Sequence, residues 1–281
     1  MKKILITGAN SYIGTSFEKW LTTSNDNYMI HTLDVKNNEW KTHDFSNYNS
    51  IFHVAAIVHK NEKNVESSLY YQVNRDLPFA IAKKAKEAGV PQFIFLSSMS
   101  VYGDGLEIIN DATPLKPQSH YAKSKFEAEE LLTTLVSDQF NLVILRPPMV
   151  YGPKATGNYT RLSKLSKLTP IFPNINNQRS MIFIDNLSEF IKKAVDLNLS
   201  GLYFPQNKEY VNTSNLVKEI RFCHNRKTLL THFFNPIILS LTSIKPLSKL
   251  FGNLTYDKKL SSYDFNYQVV NFEESVKKSE Q

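Results

Sequence analysis

The sequence predicts an α/β protein, a doubly wound parallel sheet followed by a small C-terminal substrate-binding lobe. Two observations predict it. Short apolar runs alternate with helix-like segments over roughly the first 150 residues, the order that builds a parallel sheet with crossover helices. A glycine-bearing turn, "TGANSYIG", also stands between the first such run and the first helical one. The chain has 281 residues, ample apolar surface for a core without covalent staples.

In order, "KILITG" reads as a strand, "IGTSFEKWLTT" as a helix, and "MIHTLDV" and "SIFHVAA" as further strands. "DLPFAIAKKAKEAG" reads as a helix closing at Gly89, "QFIFLSS" as a strand, "KSKFEAEELLTTLVS" as a helix and "NLVILRP" as a strand. After "RPPMVYGP" the pattern loosens into turn residues and scattered lysines. There "SMIFIDN" reads as a strand and "LSEFIKKAVDL" as a helix, so residues 181–203 are expected to return to the first domain, 1–152. The lobe is then 153–180 with 204–281.

A single cysteine, Cys223, excludes an internal disulfide and fits a reducing compartment, with the cytoplasm as default. The apolar run of "MKKILITGAN" stops too early for a secretory signal and opens the fold as a strand. A net charge of +7 and pI near 9.2 favour anionic partners. No arginine-rich arm, zinc-finger spacing or aromatic RNA motif accompanies that charge, so nucleic acid is not expected. "NPIILSLTSI", Asn235 to Ile244, is too short to span a bilayer. It reads as a helix with Asn235 as N-cap and Pro236 at the first position, buried in the lobe's core or, as a second reading, resting peripherally on a membrane.

In "TGANSYIG", Gly8 permits the tight turn and Gly14 close helix packing, while the main chain through Asn10, Tyr12 and Ile13 offers N–H groups to a pyrophosphate. This is a Rossmann-type dinucleotide loop with one departure: Ser11 stands where the middle glycine belongs. It fits if its φ is negative and its hydroxyl donates to a phosphate. Asp34, 20 residues beyond Gly14, is placed to bond the ribose hydroxyls, favouring NAD(H). Lys36 keeps NADP(H) open.

Tyr121 and Lys125 lie four apart in "YAKSK" and so share one helix face. A cation beside a phenol lowers its pKa and makes a general acid/base. "FLSSMSVYG" brings Ser97, Ser98 or Ser100 to a strand's C-terminal edge, where a hydroxyl can bond a substrate oxygen. Arg179 is a candidate for a substrate phosphate, its other reading being a surface salt bridge. Lys154, Asn158 and Arg161 are weaker candidates for the same pocket. His53 reads as a packed strand residue and His59 as a residue facing substrate. No cluster has metal-ligand spacing, so no catalytic metal is expected.

Through "TGANSYIG", "HVAA", "QVN", "FLSSMSVYG", "YAKSK", "RPPMVYGP" and "RSMIFIDNL" the chain resembles the extended short-chain dehydrogenase/reductases of the NAD-dependent epimerase/dehydratase group. The resemblance implies Tyr121 as acid/base, Lys125 as its electrostatic partner and nicotinamide-ribose ligand, and Ser98 as the hydroxyl on the reacting oxygen. It adds Asp44 and Phe45 beside the adenine, Ala55, Ala56, Ser97 and Pro148 near the cofactor, and Asn74 in support. More narrowly, "RPPMVYG", "PNINNQRSMIFIDNL" and "KLFGNL" resemble the capsule and O-antigen reductases. These convert a UDP-4-keto-6-deoxy-N-acetylhexosamine to UDP-N-acetylfucosamine or UDP-N-acetylquinovosamine. Met149, near the nucleotide diphosphate, stands where family epimerases often carry Asn. The alternatives are a UDP-hexose 4-epimerase with bound NAD and a non-catalytic nucleotide-sensing protein. A homodimer formed by helices including that of Tyr121 is expected from the resemblance.

Overall fold

The computed structural model describes residues 1–23, 28–58, 66–241 and 244–281. In chain order its elements are β1 Lys2–Thr7, α1 Tyr12–Thr23, β2 Tyr28–Leu33, β3 Ser50–His53, α2 Ser67–Tyr71, α3 Leu77–Glu87, β4 Gln92–Leu96, β5 Ile108–Ile109, α4 His120–Thr133, β6 Asn141–Leu145 and β7 Met149–Tyr151. They continue as α5 Asn158–Leu168, β8 Ile171–Pro173, β9 Met181–Phe183, α6 Ile184–Asp196, β10 Gly201–Tyr203, α7 Thr213–Cys223, β11 Leu229–Thr231, α8 Asn235–Ser240, α9 Lys245–Phe251, β12 Thr255–Tyr256 and α10 Phe272–Ser279. A π-helical turn, Gln72–Asp76, joins α2 to α3. The chain divides into two compact units: residues 1–104, 114–147 and 188–205, and residues 105–113, 148–187 and 206–281.

The first unit holds a six-stranded parallel sheet in the order β10-β6-β4-β3-β1-β2. β3 and β4 are buried at every position, as a parallel strand covered on both faces must be, and this is why they read as unbroken apolar runs. Beneath them Phe45, Ile51, Phe93, Phe140 and Leu142 form one core. β2 and β3 lie on opposite sides of β1, so the strand order reverses there. The C-terminal ends of β1 and β3 frame the crevice where such sheets bind ligands.

The second unit has three short parallel pairs, β7 with β9, β8 with β11 and β5 with β12. β7 and β9, which the sequence reading assigns to the first domain, pair with each other here. The strand at "SMIFIDN" is shorter than expected: α6 begins at Ile184, with Asp185 in its first turn, where a carboxylate suits the helix N-terminus. The expected helix from Asn235 to Ile244 is also corrected. α8 ends at Ser240 and Phe234 is its N-cap, because the Asn235 amide is engaged elsewhere, donating to Asn174 O at 2.9 Å and meeting His232 Nδ1. Nor is the segment core, for α8 buries none of its residues.

Candidate active site

The site in the first unit begins with the turn between β1 and α1. Gly8 has φ +118°, and a Cβ there would lie 2.7 Å from Ala55 N and 2.9 Å from its Cα, so only glycine fits. The N–H groups of Gly8 and Ala9 donate to Leu33 O at 3.0 and 3.3 Å, fastening the turn to the end of β2. Asn10 takes the left-handed conformation (φ 64°), one that asparagine tolerates, and Ser11 does not have a positive φ. The Ser11 hydroxyl accepts from Gly14 N–H at 3.2 Å and caps α1. Its hydrogen stays available for a phosphate. At Gly14 a Cβ would meet Ser11 Oγ at 2.6 Å and displace the hydroxyl that caps the helix. Tyr12 and Ile13 open α1, whose first turn has no acidic residue, so the helix end suits a pyrophosphate.

Asp34 follows directly on the carbonyl that Gly8 and Ala9 share, its carboxylate accepting Lys36 N–H at 2.9 Å. Ala55 donates to Thr7 O at 3.0 Å, and Ala56 continues beside it. Asn74, fully buried in the π turn, accepts Ile57 N–H at 2.8 Å and donates to Ile57 O and Ser124 Oγ. It locks the chain leaving β3 against α4. The Asp44 carboxylate closes on Ser46, whose N–H and hydroxyl hold it below the usual carboxylate range. The Phe45 ring lies in the core under Lys84, so only its main chain is available to an adenine.

Ser119 caps α4 through Ala122 N–H, setting Tyr121 and Lys125 one turn apart. Tyr121 is buried and hydrogen-bonded to the Ser98 hydroxyl. Ser98 also accepts Ser100 N–H at 3.1 Å, in the turn that ends β4. Burial raises the Tyr121 pKa, opposite to the lowering expected from a neighbouring cation. The perturbed charge is that of Lys125. Its amine donates to Leu96 O at 2.8 Å over the Phe95 ring, and burial lowers its pKa to about 7, opposed by Glu129. Ser97 gives its hydroxyl hydrogen to Glu129. Glu129 pairs with Arg146, Oε2 to Nη2 at 2.5 Å, and Arg146 donates to the Tyr102 hydroxyl at 2.8 Å. Neither charge was singled out in the sequence. The only signal was Glu129 standing one turn after Lys125.

His53 is fully buried, with Nδ1 2.8 Å from Thr7 Oγ1, and burial lowers its pKa to about 3. It is a neutral strand residue. His59 lies outside the described residues. Among the described residues no cluster could hold a metal ion.

In the second unit, Pro148 is buried just ahead of β7 and Met149 begins that strand half-buried. Asn158 and Arg161 are exposed on the first turn of α5, and Lys154 is exposed in the loop before it. Arg179 is a half-buried cation whose Nη1 donates to Gly252 O at 3.1 Å, its main chain held by Val211 on both sides. Burial lowers its pKa, and among the described residues no carboxylate pairs with it. The surface salt bridge is absent, and the charge keeps capacity for an anion.

A glycine-bearing turn at a helix N-terminus, a carboxylate at the end of the neighbouring strand and a Ser-Tyr-Lys group at one sheet edge are the parts of a nicotinamide-dependent oxidoreductase. The chain belongs to the NAD dependent epimerase/dehydratase family, whose model matches residues 4–201, and so to the NAD(P)-dependent enzymes that epimerise or reduce nucleotide sugars. It is 30% identical to a UDP-glucose 4-epimerase of Vibrio cholerae, over 89% of this chain and 83% of that protein. It is 27% identical to an N-acetyl-α-D-glucosaminyl-diphospho-undecaprenol 4-epimerase of Escherichia coli O157:H7, over 89% and 81%. Its fold matches the UDP-glucuronic acid 4-epimerase of Bacillus cereus, solved with NAD, at a TM-score of 0.72 and 18% identity, covering 99% and 97% of the two chains.

Proposed function

We propose that the protein reduces the C4 ketone of a UDP-2-acetamido-2,6-dideoxy-4-hexulose, giving UDP-N-acetylfucosamine or UDP-N-acetylquinovosamine for surface-polysaccharide assembly. The observation that carries hydride chemistry is the buried Tyr121 bonded to Ser98 on the helix that holds Lys125. The reduced nicotinamide supplies the hydride when bound. Tyr121 gives its proton to O4, a role suited to a phenol that burial keeps protonated through neutral pH. Ser98 holds the developing alkoxide, and Lys125, when charged, stabilises it. Gly8, Ser11 and Gly14 receive the pyrophosphate and Asp34 selects NAD(H) through the ribose hydroxyls; in the second unit Arg179, with its uncommitted charge, is the candidate for a phosphate. Met149 presents an apolar side chain where family epimerases often carry an amide, which counts against a plain UDP-galactose 4-epimerase. The resemblance of motifs extends this reading to a cytoplasmic homodimer.

The test follows nicotinamide absorbance with the 4-keto sugar and NADH or NADPH. Stoichiometric consumption is expected, with Tyr121→Phe lowering turnover about a thousandfold while cofactor binding persists. Full activity in that variant would overturn the assignment. The similarity to the Vibrio cholerae enzyme favours a second reading, a UDP-hexose 4-epimerase, whose signature is tightly retained NAD without net consumption.

A further inference from the structure

We infer that one face of the second unit docks on an anionic lipid bilayer. The face begins with α8 and its flanks. Phe233, Phe234, Ile237, Leu239, Leu241 and Ile244 are all exposed, Phe233 at 80% and Ile237 at 62%. Such a density of large apolar side chains in water marks a contact surface. The strand pair that leads into it continues the face: Leu229 and Ile171 are register partners, and both are exposed. So is Leu168, the last residue of α5. On α5 itself, Arg161, Lys164, Leu165 and Leu168 are spaced three, four and seven apart, and all four point to solvent.

Charge identifies the occupant. No Asp or Glu occurs between Asp138 and Asp185, or between Glu219 and Asp257. These stretches contribute the exposed cations Arg161, Lys164, Arg226, Lys227 and Lys249 and no acidic residue. Glu280, a carboxylate that reaches α5, is committed to Lys167 and His224. Exposed apolar side chains and exposed cations carried by stretches without Asp or Glu match the interface of a bilayer bearing anionic headgroups. A second copy of the same face would set cation against cation. No helix among the described residues is long and apolar enough to cross a membrane, so the contact is in the plane of the surface. The inference rests on this face alone and stands apart from the reaction proposed above.

Flotation of the full chain with vesicles tests it. Recovery with vesicles containing phosphatidylglycerol is expected to exceed that with phosphatidylcholine alone about tenfold and to fall as salt rises. Replacing Phe233→Ser with Ile237→Ser together should lower binding about tenfold, and Lys164→Glu or Lys227→Glu about fivefold each. Cofactor binding should be unchanged in every variant, since each altered side chain is exposed. No flotation with the anionic vesicles, or flotation indifferent to these substitutions, would overturn the inference. So would a dimer that the apolar pair abolishes in the absence of vesicle binding.

Discussion

The first unit buries an ion pair with a lysine close by, Glu129 with Arg146 beside Lys125, whereas in the second unit a set of buried neutral amides holds the loops. Glu129, Arg146 and Lys125 lie around α4, each with side-chain exposure close to nil, and the carboxylate answers to Ser97, Arg146 and the field of Lys125 at once. Across the second unit Asn177 accepts Thr213 N–H and donates to Thr213 Oγ1 and to the carbonyls of Leu250 and Gly252. Asn186, Gln206 and Asn207 do the same for other turns. A long parallel sheet satisfies its own backbone and can reserve its buried polar groups for chemistry. Short two-stranded ladders cannot, and their loops need side-chain partners instead.

The comparison breaks most visibly at Glu129. Its change to Ala leaves Arg146 buried without a counter-charge and is expected to cost about 4 kcal/mol, read as a shift in the denaturant midpoint. Joining it to Arg146→Met should recover much of that loss, because the lone charge is gone. Asn177→Ala should cost about 2 kcal/mol by orphaning Thr213 N–H and two carbonyls. No counter-charge change should rescue it, which separates the two kinds of burial. Smaller is the acid limb. His53 is neutral in the fold, with its pKa lowered to about 3 against an ordinary 6.5, so its contribution is complete above pH 6.5 and drains as pH falls toward 3. His53→Gln should flatten the stability slope below pH 6.5 by about 1.4 kcal/mol per unit, and an unchanged slope would show that the ring is charged when buried. Smallest of all is Ile237→Ser, expected to alter stability by less than about 0.5 kcal/mol, because the side chain faces water.

Legibility in the sequence follows the same divide. β1, β3, β4 and β6 announce themselves as apolar runs because both faces of the sheet are covered. The Tyr121 to Lys125 spacing is legible because helix periodicity is local. Burial is not local. The direction of the Tyr121 shift was misjudged because proximity of a cation can be read from spacing while desolvation cannot. The Glu129–Arg146 pair joins residues 17 apart with no periodic signature. The start of α8 was misplaced because Asn235 spends its amide on Asn174, a partner 61 residues away.

The edge strand β10 closes a sheet that β1 begins. The Lys2 amine reaches the carbonyls of Val195 and Asp196, separations of 193 and 194 residues. At about 5–20 residues per second of synthesis, the amino terminus waits about 10–40 seconds for these partners to emerge. During that interval β6 is the margin of the growing sheet and lacks its partner β10, and pairings of such long sequence separation form slowly even once both ends exist. Between the making of Lys2 and the making of Asp196 the unpaired edge of a nascent chain of this topology is a site open to aggregation.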